Sequence, residues 1–380
     1  MKPEDTSFQI VIPVFNEELI LESVLSHAKD HGYLHKIVVA NDASTDRSSE
    51  ILGDWEKNHG LTVVHLPVNA NKEGAILAAL EKLAVDNKLQ PFTVLMDADT
   101  RIQLGSHGES VPDQLTKAIN FMLETQLAAV ALRVSASYFN KPSIYWMSAY
   151  STYFGLHFDG MLLSLEKRLW VINGAGGIFH SNQLLGILRG IIPNFETGDL
   201  LITVALMKAG GKIALYKDII SLTYVPENIK ELFNQRRRWE RGTIKVIVQE
   251  IKFYSGLFAP PTMLSVALVL HMVLYVGLGI VIASLFFPNM LSMDEGGGNA
   301  VMTKASIITS YYVWFTIDVT KAAWVALKTE PKRFPLFLIC AFANAPVWIF
   351  IVTPARLFGG IEAIFDLAKE RIGWRKNIAQ

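Results

Sequence analysis

Cysteine is nearly absent from this sequence of 380 residues, since Cys340 is the only one. A single cysteine excludes an intrachain disulfide framework and a zinc site built from cysteine thiolates. Charge is also scarce, because only 18% of the residues are charged, and 35 basic side chains balance 35 acidic ones. This composition excludes a highly charged disordered chain. The neutral balance gives no support to a nucleic-acid-binding function, and we expect no nucleic-acid partner.

Hydrophobic residues make up 51% of the sequence, and they are concentrated in its last third. Three apolar segments there are long enough to cross the ~30 Å hydrocarbon core of a bilayer. They cover residues 260–287, 305–327 and 334–355. Asp318 and Lys321 interrupt the second segment, and their i, i+3 spacing predicts an ion pair on one helix face. We therefore predict a transmembrane region over 257–380 with an amphipathic C-terminal tail.

The orientation of this region follows in part from its basic residues. A polar N-terminus and a strand-like run from Phe8 predict no signal peptide and a cytoplasmic N-terminal domain. Lysine and arginine counts predict a cytoplasmic loop at 328–333 and an exterior loop at 288–304. Three crossings would place the basic C-terminal tail outside. Either the positive-inside rule is broken or one segment is re-entrant or interfacial, so the sequence leaves the side of the tail open.

The N-terminal part alternates short β-rich runs with helical patterns. Predicted strands cover 8–14, 36–40, 61–66 and 92–96, and predicted helices cover 19–28, 48–55 and 73–83. Continuous apolar strands between helices predict an α/β fold with a mostly parallel sheet covered on both faces. Neither G-x-G-x-x-G nor G-x-x-x-x-G-K-[ST] follows these strands, which argues against the Rossmann dinucleotide-binding and P-loop classes.

Polar side chains follow three of the predicted strands at their carboxyl ends, where sheets of this class bind ligands. The pairs are Asn16 and Glu17, Asn41 and Asp42, and Asp97 and Asp99. The Asp97-Ala98-Asp99 pair suits a hard divalent cation, because Mg²⁺ typically takes one or two carboxylates together with substrate phosphates. Its position after a buried strand favours a metal site over an ordinary acidic surface loop.

Six short motifs occur in order along residues 8–241. They are Ile12-Pro13-Val14-Phe15-Asn16-Glu17, Asn41-Asp42-Ala43-Ser44-Thr45-Asp46, Asp97-Ala98-Asp99, Asn173-Gly174-Ala175-Gly176-Gly177, Thr197-Gly198-Asp199 and Gln235-Arg236-Arg237-Arg238-Trp239. Together they resemble the inverting family 2 glycosyltransferases. The apolar C-terminal segments make the chain most similar to the membrane-bound branch with chitin, hyaluronan, cellulose and poly-N-acetylglucosamine synthases.

The resemblance implies a nucleotide-sugar-binding GT-A domain over residues 1–228. It implies that Asp42, with the backbone near Pro13, holds the uracil and ribose of a UDP-sugar. Asp97 and Asp99 would hold the diphosphate through Mg²⁺ or Mn²⁺. Lys72 falls where relatives carry a basic residue near the diphosphate.

The same resemblance assigns the remaining candidate residues. Asp199 would be the general base, while Gln235, Arg238 and Trp239 would close over the diphosphate and frame the acceptor sugar. These three belong to a predicted amphipathic interfacial region over 229–256. Glu17 and Gly174 are further candidate substrate-binding residues. The glycine-rich loop around Gly174 either lets the backbone approach the acceptor or forms a tight turn.

Asp199 has two interpretations. An inverting transfer needs a base opposite the diphosphate, and Asp199 stands where a loop enters a periodic helix. This predicts an N-cap position, where the helix dipole favours the carboxylate. The alternative is a helix cap without a catalytic role. The sequence departs from the family at two positions, since Gly198 replaces a usual Glu and Asn41 a usual Asp.

The predicted function is transfer of a sugar from a UDP-sugar to a growing polysaccharide at the membrane, with Mg²⁺ or Mn²⁺. The alternative is transfer of one sugar to a membrane lipid, and a third possibility is a catalytically idle membrane scaffold. Predicted partners are the donor, a polysaccharide or lipid acceptor, the lipid bilayer, and a membrane or translocation partner. The predicted location is an integral protein of the inner or plasma membrane, with the catalytic domain in the cytoplasm.

Overall fold

The structure is a computed structural model that describes residues 5–103, 109–138, 141–190, 197–257, 262–264 and 316–378. The chain folds into two compact units. The first comprises Met1–Phe139 and Gly160–Tyr224, and the second comprises Asn140–Asp159 and Val225–Gln380.

An eight-stranded sheet forms the centre of the first unit, in the order β3-β2-β1-β4-β7-β6-β8-β5. Its strands are β1 (Phe8–Val14), β2 (Ile37–Asn41), β3 (Thr62–His65), β4 (Phe92–Leu95), β5 (Thr100–Ile102), β6 (Ala129–Ser137), β7 (Gly177–His180) and β8 (Ile213–Tyr224). The four strands predicted from the sequence are therefore present, with ends that differ from the prediction by one residue at most.

The prediction of a mostly parallel sheet is wrong for half of it. Strands β3, β2, β1 and β4 are parallel neighbours, as the alternation with helices predicts. Beyond β4 the sheet is mixed, because β7 pairs antiparallel with both β4 and β6, and β8 is parallel to β6 but antiparallel to β5. The prediction rested on the first four strands. The later strands β6, β7 and β8 also have helices between them, but β7 runs antiparallel to its neighbours.

Seven helices are described that belong wholly or in part to the first unit. They are α1 (Leu21–Asp30), α2 (Ser48–His59), α3 (Asn71–Val85), α4 (Val111–Glu124), α5 (Ile144–Ser164), α6 (Ser181–Gly190) and α7 (Gly198–Lys208). α2 ends at Gly60, whose φ of 68° lies in the left-handed region, and such residues commonly terminate helices. α4 begins after Ser110, whose hydroxyl accepts the N–H of Asp113 at 3.2 Å, so an N-cap fixes its start.

The core of the first unit lies between the sheet and its helices. Ile10, Ile12, Val39 and Val94 are fully buried in strands β1, β2 and β4. Leu21 and Leu25 of α1 and Leu115 of α4 pack into the same cluster. Burial on both faces explains why these strands are continuously apolar, and the polar residues at their ends are left at the sheet edge.

The second unit is helical in its described part. It contains most of α5, then α8 (Ile229–Gln249) and α9 (Ile251–Gly256), a helix over 316–329, α10 (Phe334–Val347) and α11 (Thr353–Ile378). A π-helical turn, Trp348–Val352, joins α10 to α11. Asn228 caps α8 by accepting the N–H of Glu231 at 2.9 Å. The predicted amphipathic region over 229–256 is therefore helical.

The predicted apolar segments lie partly outside the described residues, which include only 262–264 of the first and 316–327 of the second. Within the described part, one helix, Pro331–Lys369, is long and apolar enough to cross a membrane, a property that a buried core helix shares. The predicted ion pair between Asp318 and Lys321 is present at 3.4 Å. Lys321 also contacts Asp159 of α5 at 2.9 Å, so its ammonium group lies between two carboxylates.

Candidate active site

The loops after β1 and β2 are joined by side-chain hydrogen bonds at the carboxyl edge of the sheet. Asn16 Oδ1 accepts the N–H of Thr45 at 2.8 Å, and the N–H of Glu17 donates to Ser48 Oγ at 2.8 Å. Asn16 has a φ of 58°, a conformation that asparagine tolerates better than most residues. The sequence-predicted clusters at these strand ends are therefore neighbours.

Glu17 faces the acidic pair that follows β4. Burial, and then the charges of Asp99, Asp97 and Asp46 in that order, together raise the pKa of Glu17 to about 7. Three carboxyl groups of the sheet edge therefore share one electrostatic environment. Such an arrangement is more stable when a cation or a proton reduces the negative charge.

Asp42 is 2% exposed at the end of β2. Its Oδ1 accepts the N–H of Ala70 at 2.6 Å. Burial raises the pKa of Asp42, while hydrogen bonds from the N–H groups of Ala70 and Asn71 lower it. Asp42 therefore fixes the start of α3. Its proposed contact with uracil and ribose stays a prediction.

Asn41, which replaces a usual aspartate, is also held within the protein. Its Nδ2 donates to Ser49 Oγ at 2.9 Å, and its Oδ1 accepts the N–H of Ser44 at 3.2 Å. An amide makes both kinds of hydrogen bond, which an ionised carboxylate cannot. Pro13 lies one strand away, opposite Ala40 in the β1–β2 register.

Asp97 and Asp99 follow β4 in a turn in which the N–H of Thr100 donates to the Asp97 carbonyl at 3.0 Å. Asp99 Oδ1 accepts from the hydroxyls of Thr100 at 3.0 Å and Thr223 at 3.1 Å. Burial and then the charge of Asp97 raise the pKa of Asp99 to about 6, although the two hydroxyls lower it. The β8 residue Thr223 thus helps to orient a carboxylate of the predicted metal pair.

The two aspartates fit a divalent cation that is completed by a ligand. Among the described residues no group of three or more His, Cys, Asp or Glu side chains is arranged to hold a metal. Mg²⁺ needs only one or two protein carboxylates when substrate phosphates and water supply the other oxygens. Oδ1 of Asp97 accepts from Lys72, and Oδ1 of Asp99 accepts from Thr100 and Thr223.

Lys72 is the cation of this site and forms an ion pair with Asp97. Burial lowers the pKa of Lys72, but the charge of Asp97 and then that of Asp199 raise it, and the net effect is an increase. Lys72 is therefore a permanent positive charge between two carboxylates. This placement agrees with the predicted role beside a diphosphate.

Gly174 lies against Lys72 and Asp97 in a small pocket of the first unit. A Cβ at Gly174 would overlap Lys72 Nζ and would lie 3.1 Å from Asp97 Oδ1. The N–H of Gly176 donates to the Asn173 carbonyl at 3.1 Å, so the loop contains the tight turn that the sequence allowed. Its approach to an acceptor stays a prediction. The pocket is lined by Lys72, Glu73, Ile76, Leu95, Ile172, Asn173, Gly174, Phe179, Asp199 and Ile202.

Asp199 is the second residue of α7 rather than its cap. The N-cap is Thr197, so the predicted cap position of Asp199 is wrong by two residues. Its Oδ1 accepts the N–H of Leu200 at 2.8 Å. Burial raises the pKa of Asp199, against the lowering effects of Lys72, of the Leu200 N–H and of the Gly174 N–H. Burial therefore dominates, and the net direction is opposite to the one expected from a helix cap.

Two residues of the site were not identified from the sequence. Thr203 is fully buried; its hydroxyl accepts the N–H of Ile172 at 2.9 Å and donates to the Asp199 carbonyl at 2.7 Å. It therefore connects the loop of Gly174 to α7. Glu73 is 6% exposed and lines the same pocket. Neither residue belongs to a motif that points to this chemistry. Their closeness to the site is evident only from their packing in the folded chain.

Gln235, Arg238 and Trp239 belong to α8 in the second unit. Arg238 is exposed, and Gln235 and Trp239 are half-buried. The Arg236 guanidinium lies 4.4 Å from the centroid of the Trp239 ring, within the range of a cation–π contact. Their predicted contacts with diphosphate and acceptor stay predictions.

Comparison with known proteins agrees with this geometry. Residues 9–181 match the family model described as glycosyl transferase family 2. A poly-β-1,6-N-acetyl-D-glucosamine synthase of Staphylococcus epidermidis is 24% identical over 63% of this chain. The chain spans only 55% of the length of that relative. An N-acetylglucosaminyltransferase of Rhizobium meliloti is 21% identical over 92% of this chain and 78% of its own length.

A solved structure has the same fold. The mannosyltransferase PcManGT from Pyrobaculum calidifontis, in complex with GDP-Man and Mn²⁺, superposes with a TM-score of 0.52 at 15% identity. The match covers 95% of this chain and 89% of the other. The α/β unit with its mixed sheet is thus GT-A-like. Residues 9–181 thus match the glycosyl transferase family 2 model, and the chain is homologous at low identity to poly-β-1,6-N-acetylglucosamine synthases and to an N-acetylglucosaminyltransferase.

Proposed function

We propose that this protein is an inverting glycosyltransferase that adds N-acetylglucosamine from UDP-N-acetylglucosamine to a growing polysaccharide at a membrane. One observation carries the proposal: Lys72, Gly174 and Asp199 line one pocket, and Asp97 is paired with Lys72 beside it. A base, a cation and a metal-binding carboxylate are the groups that this transfer requires. The sugar is inferred from what the homologous enzymes make.

Asp199 is the proposed general base. It removes the proton of the acceptor hydroxyl while the hydroxyl oxygen attacks the anomeric carbon, and the bond to the diphosphate breaks. Burial raises the pKa of Asp199, which makes its ionised form a stronger proton acceptor than an exposed aspartate. The hydrogen bonds from Leu200 and Gly174 orient the carboxylate. Attack opposite the leaving group inverts the anomeric centre.

The leaving group is UDP, whose diphosphate gains negative charge as the glycosidic bond to it breaks. Lys72 carries the positive charge that stabilises this change, and electrostatic stabilisation of this kind is a major part of enzymatic rate enhancement. Asp97 and Asp99 would hold Mg²⁺ or Mn²⁺, which supplies Lewis-acid stabilisation to the diphosphate. Thr223 and Thr100 keep the Asp99 carboxylate in place.

The proposal is tested with the purified full chain in detergent. We expect UDP release from UDP-N-acetylglucosamine in the presence of Mn²⁺ or Mg²⁺, and no release after EDTA treatment. Product size distinguishes the acceptors, since a polymer supports polysaccharide synthesis and one discrete glycolipid supports transfer to a membrane lipid. Absence of UDP release from every UDP-sugar of a panel would refute the proposal.

A pair of aspartate variants provides the control for the metal site. Asp99→Asn retains an Oδ1 that accepts from Thr100 and Thr223, so we expect a folded protein without Mn²⁺-dependent activity. Asp54→Asn changes an exposed aspartate of α2 and should leave activity unchanged. Equal activity in the two variants would assign the metal to other residues.

A further inference from the structure

A buried carboxylate that the proposed mechanism does not use lies beside the general base. Glu73 is in the first turn of α3, next to Lys72, and is 6% exposed. It lines the pocket that also contains Asp199 and Gly174. Buried glutamates are rare unless they have a charged partner, which makes its position here informative.

Gly198 creates the space that Glu73 occupies. Gly198 is the first residue of α7, immediately before Asp199. A Cβ built on Gly198 would overlap Oε1, Cδ and Cγ of Glu73. The carboxylate of Glu73 therefore fills the volume that a side chain at position 198 would take, and it lies against the first turn of the helix that carries the base.

The charges around Glu73 connect it to the same site. Burial raises the pKa of Glu73; its own backbone N–H and Lys72 lower it, and Asp199 and Asp97 raise it. Among the described residues that line the pocket, Lys72 is the only basic one. Glu73, Asp97 and Asp199 therefore depend on one ammonium group for their charge balance.

We propose that Glu73 is a positioning residue for Asp199, because its carboxylate replaces a side chain at position 198 and fixes the first turn of α7 relative to Lys72. The inference rests on the proposed transferase function. Glu73 itself takes no part in bond making or breaking. Its effect is on the orientation and the pKa of the base.

Glu73→Gln removes the charge and keeps the size of the side chain. We expect kcat to fall on the order of 10–100-fold, as for other groups that orient a reacting residue, with little change in the KM for UDP-N-acetylglucosamine. The acidic limb of the kcat profile should shift, because Glu73 and Asp199 interact electrostatically and a change in one alters the titration of the other. A merely structural role would not move this limb. Glu81→Gln, on the exposed side of α3 and paired with Arg189, is the matched control.

Moving the carboxylate to position 198 tests the geometry. Gly198→Glu alone should be destabilised by overlap with Glu73, while the double variant Glu73→Ala/Gly198→Glu should recover thermal stability and part of kcat. Wild-type kcat and an unchanged pH profile in Glu73→Gln would overturn the proposal. The proposal would also be overturned by a double variant whose thermal stability and kcat are no higher than those of Gly198→Glu.

These outcomes are distinguishable from failure of the proposed function. If the wild-type chain releases no UDP from any donor, the transferase proposal fails and the positioning role fails with it. The contact between positions 73 and 198 can still be tested in that case. The test compares the effect of Gly198→Ala on thermal unfolding in the wild-type background and in the Glu73→Ala background. Additive effects in that cycle would show that position 73 does not occupy the space at position 198.

Discussion

Asp199 is the residue whose replacement tests the proposed general base directly. Asp199→Asn should fold, because asparagine keeps an oxygen that accepts the N–H of Leu200 and removes a half-buried charge. It should bind UDP normally and lose on the order of 10²–10⁴-fold in turnover, the usual contribution of a general base. The measurement is UDP release together with a UDP-binding titration. Near-wild-type turnover would show that Asp199 has only a structural role at the start of α7 and that another carboxyl group is the base.

A side chain at Gly174 is expected to displace the ammonium group of Lys72. Gly174→Ala places a methyl group where Lys72 Nζ now lies, so the Lys72–Asp97 ion pair must move. We expect weaker donor binding and lower activity, measured as the Kd for UDP and as kcat/KM. The control is Gly186→Ala in α6, where a Cβ meets no atom within 4 Å; there we expect a gain of roughly 0.5–1 kcal/mol from helix propensity. Equal effects of the two substitutions would contradict the close approach at Gly174.

Glu17 makes the stability of the metal-free protein depend on pH. Its pKa rises from 4.5 to about 7 on folding, so between these values the folded state binds more protons than the unfolded state. The free energy of unfolding should therefore fall as pH rises through this window. Glu17→Gln should be more stable than wild type at about pH 8, on the order of 1 kcal/mol, and similar to it at about pH 4. Thermal unfolding in EDTA measures this, and a difference that is the same at both pH values would contradict it.

The residues identified from the sequence are those whose motif and strand position coincide. Asp97 and Asp99 were predicted on that basis, whereas Lys72 was implied by the family resemblance. The structure pairs Asp97 with Lys72, which lines one pocket with Asp199 and Gly174. Glu73 and Thr203 could not be predicted, because their contacts join segments that are far apart in the chain. The cap position of Asp199 was misplaced because hydrophobic periodicity locates a helix start only to within a few residues.

At the scale of elements, local patterns predicted the first four strands and missed the later ones. β1, β2 and β4 are buried on both faces, and their continuous apolar runs indicate a parallel sheet. β8 contains polar residues and pairs with two strands of different orientation. Its pattern carries no sign of that pairing, because partner choice is decided by tertiary packing.

Helix α8 is held to α11 by opposite charges. Asp366 accepts from Arg241 Nε at 2.7 Å and contacts Lys245 at 2.9 Å. Arg237 contacts Glu362 at 3.5 Å, one helical turn before Asp366. Basic residues that the sequence also allowed as lipid anchors, Arg237 and Arg241, therefore have partners within the protein.

Asp366→Asn is expected to weaken this helix pair. It leaves Arg241 and Lys245, which are 31% and 17% exposed, without their carboxylate, at a cost of about 1–3 kcal/mol. The unfolding midpoint in detergent should be lower in the variant than in the wild type. Salt at about 1 M screens the ion pairs of the wild type, so the difference between the two midpoints should become smaller. Glu50→Gln removes the exposed Arg47–Glu50 pair and should have no effect. Equal midpoints in Asp366→Asn and wild type would show that packing alone holds α8.

At the scale of the whole molecule, apolar side chains on the C-terminal helices support the proposed membrane association. Phe342, Phe350, Phe358 and Phe365 are between 56% and 81% exposed. Repeated exposure of phenylalanine along α10, the π-helical turn and α11 is unusual for a surface in contact with water. We propose that lipid covers these side chains.

The ion pairs between α8 and α11 bear on the number of membrane crossings between them. Glu362 and Asp366 contact Arg237, Arg241 and Lys245, so both helices lie on the same side of any bilayer that the chain crosses. An odd number of complete crossings between α8 and α11 is incompatible with these contacts. Of the predicted segments 260–287, 305–327 and 334–355, we therefore expect an even number to cross fully.

Reporter fusions in a bacterial host test this topology. If residues 1–228 lie in the cytoplasm, as the sequence predicts, a green fluorescent protein fused to the C-terminus should fluoresce and alkaline phosphatase there should be inactive. Phosphatase inserted into the predicted exterior loop at 288–304 should be active and serves as the positive control. Alkaline carbonate should leave the full chain in the membrane fraction. An active phosphatase at the C-terminus would contradict the pairing of α8 with α11, whereas release by carbonate would contradict membrane integration itself.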